Sequence, residues 1–430
     1  MRASSRFPLT AVGDVNTYAL FAEHARDLLA PMGRAGIIVP TGIATADTTK
    51  RFFETVVDSS SIESLFDFLE ARDFFVGLES RDPFCLLTLS NNTTRNERPA
   101  RFIFKMLDLQ ELKRQERLIY LTPSDFALLN PNTRTCPMLR TQADAELTKK
   151  IYRNTAILID ERTGRNPWGV SYLRMFDMAN DSHLFANSAK PDLLPLYESR
   201  LLHQFTHRWA TYENGESRDF KREELANPYI VIQPRYWVSQ EDIAQRLLNR
   251  WSHKWLMAFR DVCRANDERT AIFSVIPRVG VNHKAPIILP SEQLPVLQTP
   301  CLISVFDSLV FDFVARQKVG GTSLSYFILN QLPVLPPDAF SEADVAFIVP
   351  RVLELAYTAW DMKPFAEDVW AEADESLCSE ILRRSAECNV GAPADLFAPR
   401  DGFALPPFRW NDERRALIRA DLHARIAKLY

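Results

Sequence analysis

The sequence predicts a mixed fold in three stretches: a partial α/β sheet over residues 1–112, an α+β module over 113–340, and a helical segment over 341–430. Three observations predict it. Helical and strand-like runs alternate through the first stretch. The middle interleaves aromatic residues with Arg, His and Asn and is broken by prolines. Helical periodicity returns after Ser341.

In the first stretch, "VNTYALFAEHARDLLAPMGRAGIIVPTG" reads as a helix, a turn and a strand. Tyr18, Phe21, Ala25 and Leu28/Leu29 fall at helical spacing, and Pro31 and Gly33 stop the helix. The apolar run "AGIIVP" (35–40) predicts a parallel strand buried on both faces. A helix from Thr48 to Val57 follows, then "SIESLFDFLE" and a further strand, "PFCLLTLS". The alternation predicts a doubly wound sheet with few strands, half of a Rossmann-type domain.

Bulk properties exclude less. The 430 residues are 46% hydrophobic and 25% charged, with a net charge of −4, which neither points to nucleic acid nor argues against it. The six cysteines are scattered and form no C-x-x-C pair, so a zinc ribbon or disulfide framework is not expected. No opening signal peptide and no apolar run of ~18 residues is seen, so no membrane partner and a cytoplasmic location are expected.

The order "YALFAEHARDLLAPMGRAGIIVP", "RFFETVV", "FFVGLESRDPFCLLTL" resembles the second half of the catalytic domain of adenine-N6 DNA methyltransferases of type II and IIG restriction–modification and related phage-defence systems. The resemblance implies a methyltransferase half-domain, a target recognition domain and a helical C-terminal segment. It also implies S-adenosylmethionine as cofactor of the complete enzyme, held by a glycine loop, and an Asn-Pro-Pro-aromatic turn at the flipped base. Neither motif occurs here. "NPW" (166–168) and "NPY" (227–229) have one proline each, lie after the half-sheet, and read as turns. No cofactor is therefore expected on this chain alone, and a partner chain would supply both motifs. The family's base-stacking Phe maps best to Phe75, by its spacing to Arg81 and Phe84, with Phe74 as the other candidate. The plainer alternative is a Phe pair packed in a core.

The middle stretch resembles the family's target recognition domain. Around "TAIFSVIP", Arg269 precedes a strand and Arg278, Asn282, His283 and Lys284 follow it. Arg forks suit guanine, Asn suits adenine, and Lys suits phosphate, although charges flanking a strand are also ordinary solvated edges. In "LLHQFTHRWATY", His203 and His207 stand four apart, as two metal ligands on a helix would. Gln204 occupies the place where a zinc hydrolase has its Glu, and no third ligand is evident, so no metal is expected. Ser239, with Asp242 three residues on, predicts a helix start.

"CLISVFDSLVFDFVARQKVGG" predicts one amphipathic helix ended by Gly320 as a C-cap glycine. Phosphate-cradling glycines precede a helix, so Gly320–Gly321 is not a nucleotide loop. "ARQKVGGTSLSYFILNQLPVLPP" resembles a segment of the recognition domain, where Lys318, Gly320, Gly321 and Thr322 would approach the DNA backbone. In the last stretch, Pro350 is expected to split a helix, and a final helix opens at Asp412 and Glu413. Relative to the family both ends look cut, as in a split subunit, an interrupted gene or a fragment.

The expected function is the DNA-binding, target-recognition portion of a site-specific adenine-N6 DNA methyltransferase. A non-catalytic specificity subunit of a restriction or defence complex is the alternative. A decayed remnant is a third reading.

Overall fold

The computed structural model describes residues 6–13, 15–70, 74–75, 83–91, 98–400 and 402–430. Two compact units emerge: Met1–Thr163 with Arg316–Gly320, and Gly164–Ala315 with Gly321–Tyr430. The division thus falls well beyond residue 112, and residues 341–430 pack with the middle stretch.

The first unit contains α1 (Thr17–Asp27), β1 (Arg34–Pro40), α2 (Gly42–Thr45), α3 (Lys50–Asp58), β2 (Ile62–Phe68), β3 (Phe84–Ser90), β4 (Ala100–Met106), β5 (Ile119–Leu121), α4 (Pro123–Leu129) and α5 (Gln142–Asn154). Its sheet has the order β1-β3-β2-β4-β5. Only β2 and β4 pair in parallel; β1–β3, β2–β3 and β4–β5 are antiparallel. This corrects the expectation of a doubly wound parallel sheet. The helices between β1 and β2 leave those strands pointing the same way, and β3 inserts between them, antiparallel to both. Hydrophobic periodicity carries no strand direction. β1 is also an edge among the described residues, with Val39 buried but Ile38 59% exposed, so it is not buried on both faces.

Phe52, Phe53, Val56 and Val57 on α3 are buried, as are Leu65, Leu87, Leu89 and Phe102 of the sheet. The helix α4 joins through Phe126, edge-on to Phe53 and Phe102. Its start is a capping box: Thr122 and Asp125 exchange side-chain and backbone hydrogen bonds, with Pro123 at the first helical position. These contacts draw residues 123–154 into this unit. One buried carboxylate, Asp67, accepts hydrogen bonds from the Thr41 hydroxyl and from Lys105 N at 2.9 Å. Burial pushes its pKa up to about 6, against the lowering pull of those bonds.

The second unit contains β6 (Ser171–Leu173), β7 (Leu193–Tyr197), β8 (Ala210–Glu213), β9 (Glu216–Asp219), α6 (Arg222–Leu225), β10 (Trp237–Ser239), α7 (Gln240–Leu247), β11 (Trp255–Phe259), β12 (Phe273–Pro277), β13 (Gly280–Val281), β14 (Ile287–Leu289), α8 (Gln298–Phe306), α9 (Leu309–Lys318), α10 (Tyr326–Asn330), α11 (Glu342–Ala356), α12 (Lys363–Glu372), α13 (Glu375–Cys388), α14 (Ala394–Phe397) and α15 (Asp412–Leu429). Its sheets are β12-β11-β14-β6, β10-β7-β13 and the hairpin β8-β9. The hairpin turns on Asn214 and Gly215, both at positive φ (53° and 84°), which suits a primed two-residue turn. Gly280 leaves no room for a side chain, since a Cβ there would sit 2.4 Å from Val238 Cγ1. Ser239 caps α7, accepting from Asp242 N at 3.0 Å.

The expected single helix from Cys301 onward is two helices, α8 and α9, bent by 51° at Asp307–Ser308. Tertiary bonds cause the break. Asp307 Oδ1 accepts from Phe273 N at 2.9 Å, and Ser308 Oγ accepts from Phe311 N at 3.1 Å to start α9. Gly320 is not in the left-handed region, so α9 ends without a glycine C-cap of that kind. It stands instead at the point where the chain leaves the first unit. Pro350 does not split α11 either. Ile348, Val349, Val352 and Leu353 are fully buried, and that packing outweighs a cost of about 3 kcal/mol for a helix-interior proline.

The C-terminal helices are fixed by buried ions. Glu354 on α11 receives Arg384 at 2.6 Å and Arg414 from α13 and α15 respectively. Arg208 is fully buried and donates to the carbonyls of Leu225, Asn227, Ile230 and Thr358 at 2.7–3.1 Å. No single helix among the described residues is long and apolar enough to cross a membrane.

Candidate nucleic-acid interface

The residues flanking β12 separate to its two ends. β12 pairs with β11 from Phe273↔Phe259 to Pro277↔Trp255. Arg269 therefore lies beyond the Phe273 end and Arg278 beyond the Pro277 end. Arg278 Nη1 donates to the carbonyls of Trp251, Ser252 and His253 at 3.0–3.4 Å, closing the loop before β11.

Asn282, His283 and Lys284 form the turn between β13 and β14. Asn282 is buried, and its Oδ1 accepts from Lys284 N at 3.0 Å. Its amide oxygen is thus used in building the turn. His283 Nδ1 accepts from Met178 N at 3.4 Å and lies 3.7 Å from Asp177 Oδ2. The Lys284 side chain is 45% exposed, and its Nζ is 3.1 Å from Asp261 Oδ2.

Asp261 is the hinge of the arrangement. It follows β11 and is buried, and its backbone N donates to Lys284 O at 3.0 Å. Its Oδ1 accepts from the Ser323 hydroxyl, and its carbonyl accepts from Leu324 N at 2.8 Å. Cys263 N donates to Thr322 O at 3.1 Å. The segments "NDERTAIFSVIPRVGVNHKAP" and "GGTSLSYF" thus meet at one rim, where Gly321 and Thr322 are exposed beside Lys284. An added Cβ on Gly321 would touch nothing within 4 Å. Sequence reasoning missed Asp261 and Ser323, which only pairing across the fold reveals.

Lys318 is placed otherwise. Its Nζ is buried and donates to Leu129 O and Asn130 Oδ1, both at 2.6 Å, 4.9 Å above the ring centre of Tyr152. Burial pulls its pKa down to about 7. The expected phosphate contact from Lys318 is corrected: an ammonium engaged by two internal acceptors is not offered to a ligand. Gly320 is exposed, with Thr45 3.8 Å from where its Cβ would be.

Phe75 and Phe74 are half-buried against the cluster of Phe68, Phe84, Ile103 and Met106. Phe75 meets Phe84 edge-on with ring centres 5.1 Å apart, and Phe74 meets Phe68 at 4.8 Å. Arg81, which fixed the spacing for Phe75, lies outside the described residues.

The stretch holding His203 and His207 is a turn and not a helix, with His203 N and Thr206 N each bonded to the other's carbonyl. The ring of His203 stacks on Trp209 at 4.2 Å, whereas His207 is buried with Nε2 2.9 Å from Asp361 Oδ1. Among the described residues no group of three His, Cys, Asp or Glu side chains could hold a metal ion. "NPW" and "NPY" are both turns. Asn166 Oδ1 accepts from Val170 N, and Trp168 is buried with Nε1 bonded to Leu335 O; Asn227 Oδ1 accepts from Tyr229 N.

No family model matches the chain, and no curated protein matches it. Among solved structures, it is similar to the type IIG restriction endonuclease BpuSI at 14% identity, covering 89% of this chain and 51% of that one, with a TM-score of 0.30. It is similar to the type IIL restriction–modification enzyme MmeI in complex with DNA at 9% identity, covering 96% and 52%, with a TM-score of 0.33. A DrdV–DNA complex is similar at 10% identity, covering 82% and 41%, with a TM-score of 0.39. The chain spans about half the length of these enzymes or less.

Proposed function

We propose that this chain is the DNA-binding, target-recognition portion of a site-specific adenine-N6 DNA methyltransferase of a restriction–modification or phage-defence system. The observation that carries the reading is the rim at Asp261. The two stretches that most resemble a target recognition domain, far apart in sequence, are joined there and present Lys284, Thr322 and Gly321 to solvent. Lys284 and the backbone of 321–322 would hold phosphates. Phe75 would stack on the extruded adenine once its packing against Phe84 opens. A partner chain would bring the S-adenosylmethionine loop and the Asn-Pro-Pro-aromatic turn, which this sequence lacks.

The test is duplex binding followed by fluorescence polarisation at rising salt, with tritium transfer from S-adenosylmethionine measured alongside. The expected result is a steep salt dependence, a slope reduced by ~1 in Lys284→Ala, and no methyl transfer by the chain alone. Salt-independent binding, or none at low salt, overturns the DNA reading; transfer by the chain alone overturns the need for a partner.

A further inference from the structure

We propose a second phosphate-holding site in the recognition unit, formed by Arg419 and His423 of α15 together with His203, Arg260 and Arg269, that takes the phosphodiester of a nucleic-acid strand. It goes beyond the rim at Lys284 in naming a separate set of residues.

Successive residues at a strand end point to opposite faces. Asp261 turns toward Lys284; Arg260, its neighbour, turns the other way. Arg260 reaches the turn before His203, donating from Nε and Nη2 to Leu202 O at 2.8 and 2.6 Å. Arg269 reaches the same region and donates from Nη2 to His423 Nε2 at 3.0 Å. Its Nη1 is buried with no hydrogen-bond partner, 3.9 Å from Asp312 Oδ2. Arg415, Arg419 and His423 recur every four residues and so share one face of α15. Arg415 is spent on Leu355 O at 2.7 Å and on the ring of Trp410. Arg419 is half-buried and has no hydrogen bond or ion pair among the described residues.

Arginines crowd the two imidazoles here; Asp219 and Asp267 act on Arg260, and Asp307 and Asp312 on Arg269, but no carboxylate pairs with Arg419 among the described residues. Burial first, then Arg260, Arg419, Arg269 and Arg415, press the pKa of His203 down to about 3, and no carboxylate opposes them. Burial, then Arg269 and Arg419, lower His423 to about 4, with only Asp312 acting the other way. Asp312 already accepts from Thr270 N and Ala271 N at 2.8 and 2.9 Å. A dianion or diester seated beside Arg419 would give it the negative partner it lacks, and a free guanidinium fits phosphate oxygens in a bidentate fork. Trp209, exposed and stacked on His203, offers an aromatic face beside it. Inorganic phosphate and a DNA strand share this chemistry, and the site is assigned to the strand.

The experiment uses the full chain, with histidines labelled at Cε1 and assigned through His203→Gln and His423→Gln. Imidazole titrations are recorded alone, with a labelled duplex, and with inorganic phosphate, and duplex affinity is measured for Arg419→Gln. Bound duplex is expected to raise both imidazole pKa values, and Arg419→Gln to weaken binding about tenfold with a salt slope smaller by ~1. Thermal unfolding of Arg419→Gln should match the parent, since the side chain holds nothing internal. Duplex binding untouched by Arg419→Gln, with unmoved imidazoles, overturns this site and leaves the DNA reading standing. Imidazoles that move with inorganic phosphate while duplex binds nowhere keep the phosphate site, overturn its assignment to a strand, and remove the DNA reading.

Discussion

Arg269 Nη2 lies 3.0 Å from His423 Nε2, joining the approach to β12 to the last helix of the chain. A guanidinium only donates, so the imidazole accepts through Nε2 and is neutral when the bond is made. Its folded pKa, about 4, is below the unfolded value of 6.5. The neutral imidazole therefore contributes stability that is present above pH 6.5 and lost as pH falls toward 4. His423→Gln, which keeps an acceptor but cannot be protonated, should flatten that part of the curve. Urea midpoints at pH 4.5, 5.5 and 7 measure it; an unchanged slope counts against the bond.

Asp67 runs the opposite way. Its folded pKa is raised to about 6, so its contribution is complete below the ordinary carboxylate value and is lost as pH rises through 6. Asp67→Asn should remove this slope between pH 4 and 6. Unfolding followed by the near-UV signal of the first unit reports it.

Glu354 is 3% exposed and holds Arg384 and Arg414. Glu354→Ala leaves Arg384 buried without its partner, with a cost of about 3–5 kcal/mol. Thermal unfolding should show a large loss. Replacing Glu354 and Arg384 together by apolar residues should restore much of it, and a double variant as unstable as the single would refute the pairing.

Asp312 Oδ1 accepts from both Thr270 N and Ala271 N. Asp312→Ala strands two buried donors, at about 1–3 kcal/mol each. Hydrogen exchange at these two amides should accelerate strongly, while amides in β14 hold.

Lys318 and Lys284 should differ in their effect on duplex affinity. Lys318→Met removes a buried ammonium and its two acceptors' donor, so the melting temperature should fall while duplex affinity stays within about twofold. Lys284→Ala should lower duplex affinity, and because it leaves buried Asp261 without its cation it should also lower the melting temperature. Polarisation and calorimetry on both variants decide it; a loss of affinity in Lys318→Met with unchanged melting would restore the phosphate contact expected from sequence.

Local chemistry was legible wherever a few neighbouring residues sufficed. Ser239 and Asp242 start α7 as read, and the asparagines of "NPW" and "NPY" make turns. The basic face of α15 was readable too, since Arg415, Arg419 and His423 keep a four-residue spacing, but nothing in the sequence tied it to Arg269. The break at Asp307–Ser308 was not legible, because the apolar period runs straight through it and the carboxylate that stops the helix bonds to Phe273.

By itself, then, the sequence determined the mixed α/β character, the helical C-terminal stretch, the Asn-Pro turns and the Ser239 cap, and the absence of a glycine loop or Asn-Pro-Pro motif. Tertiary structure alone decided strand direction in the first sheet, which lysine is buried and which is partly exposed, and which arginines share a face with histidines. The physical reason is range: periodicity and capping act over a few residues, whereas burial and charge neutralisation depend on groups that only the folded chain brings within bonding distance.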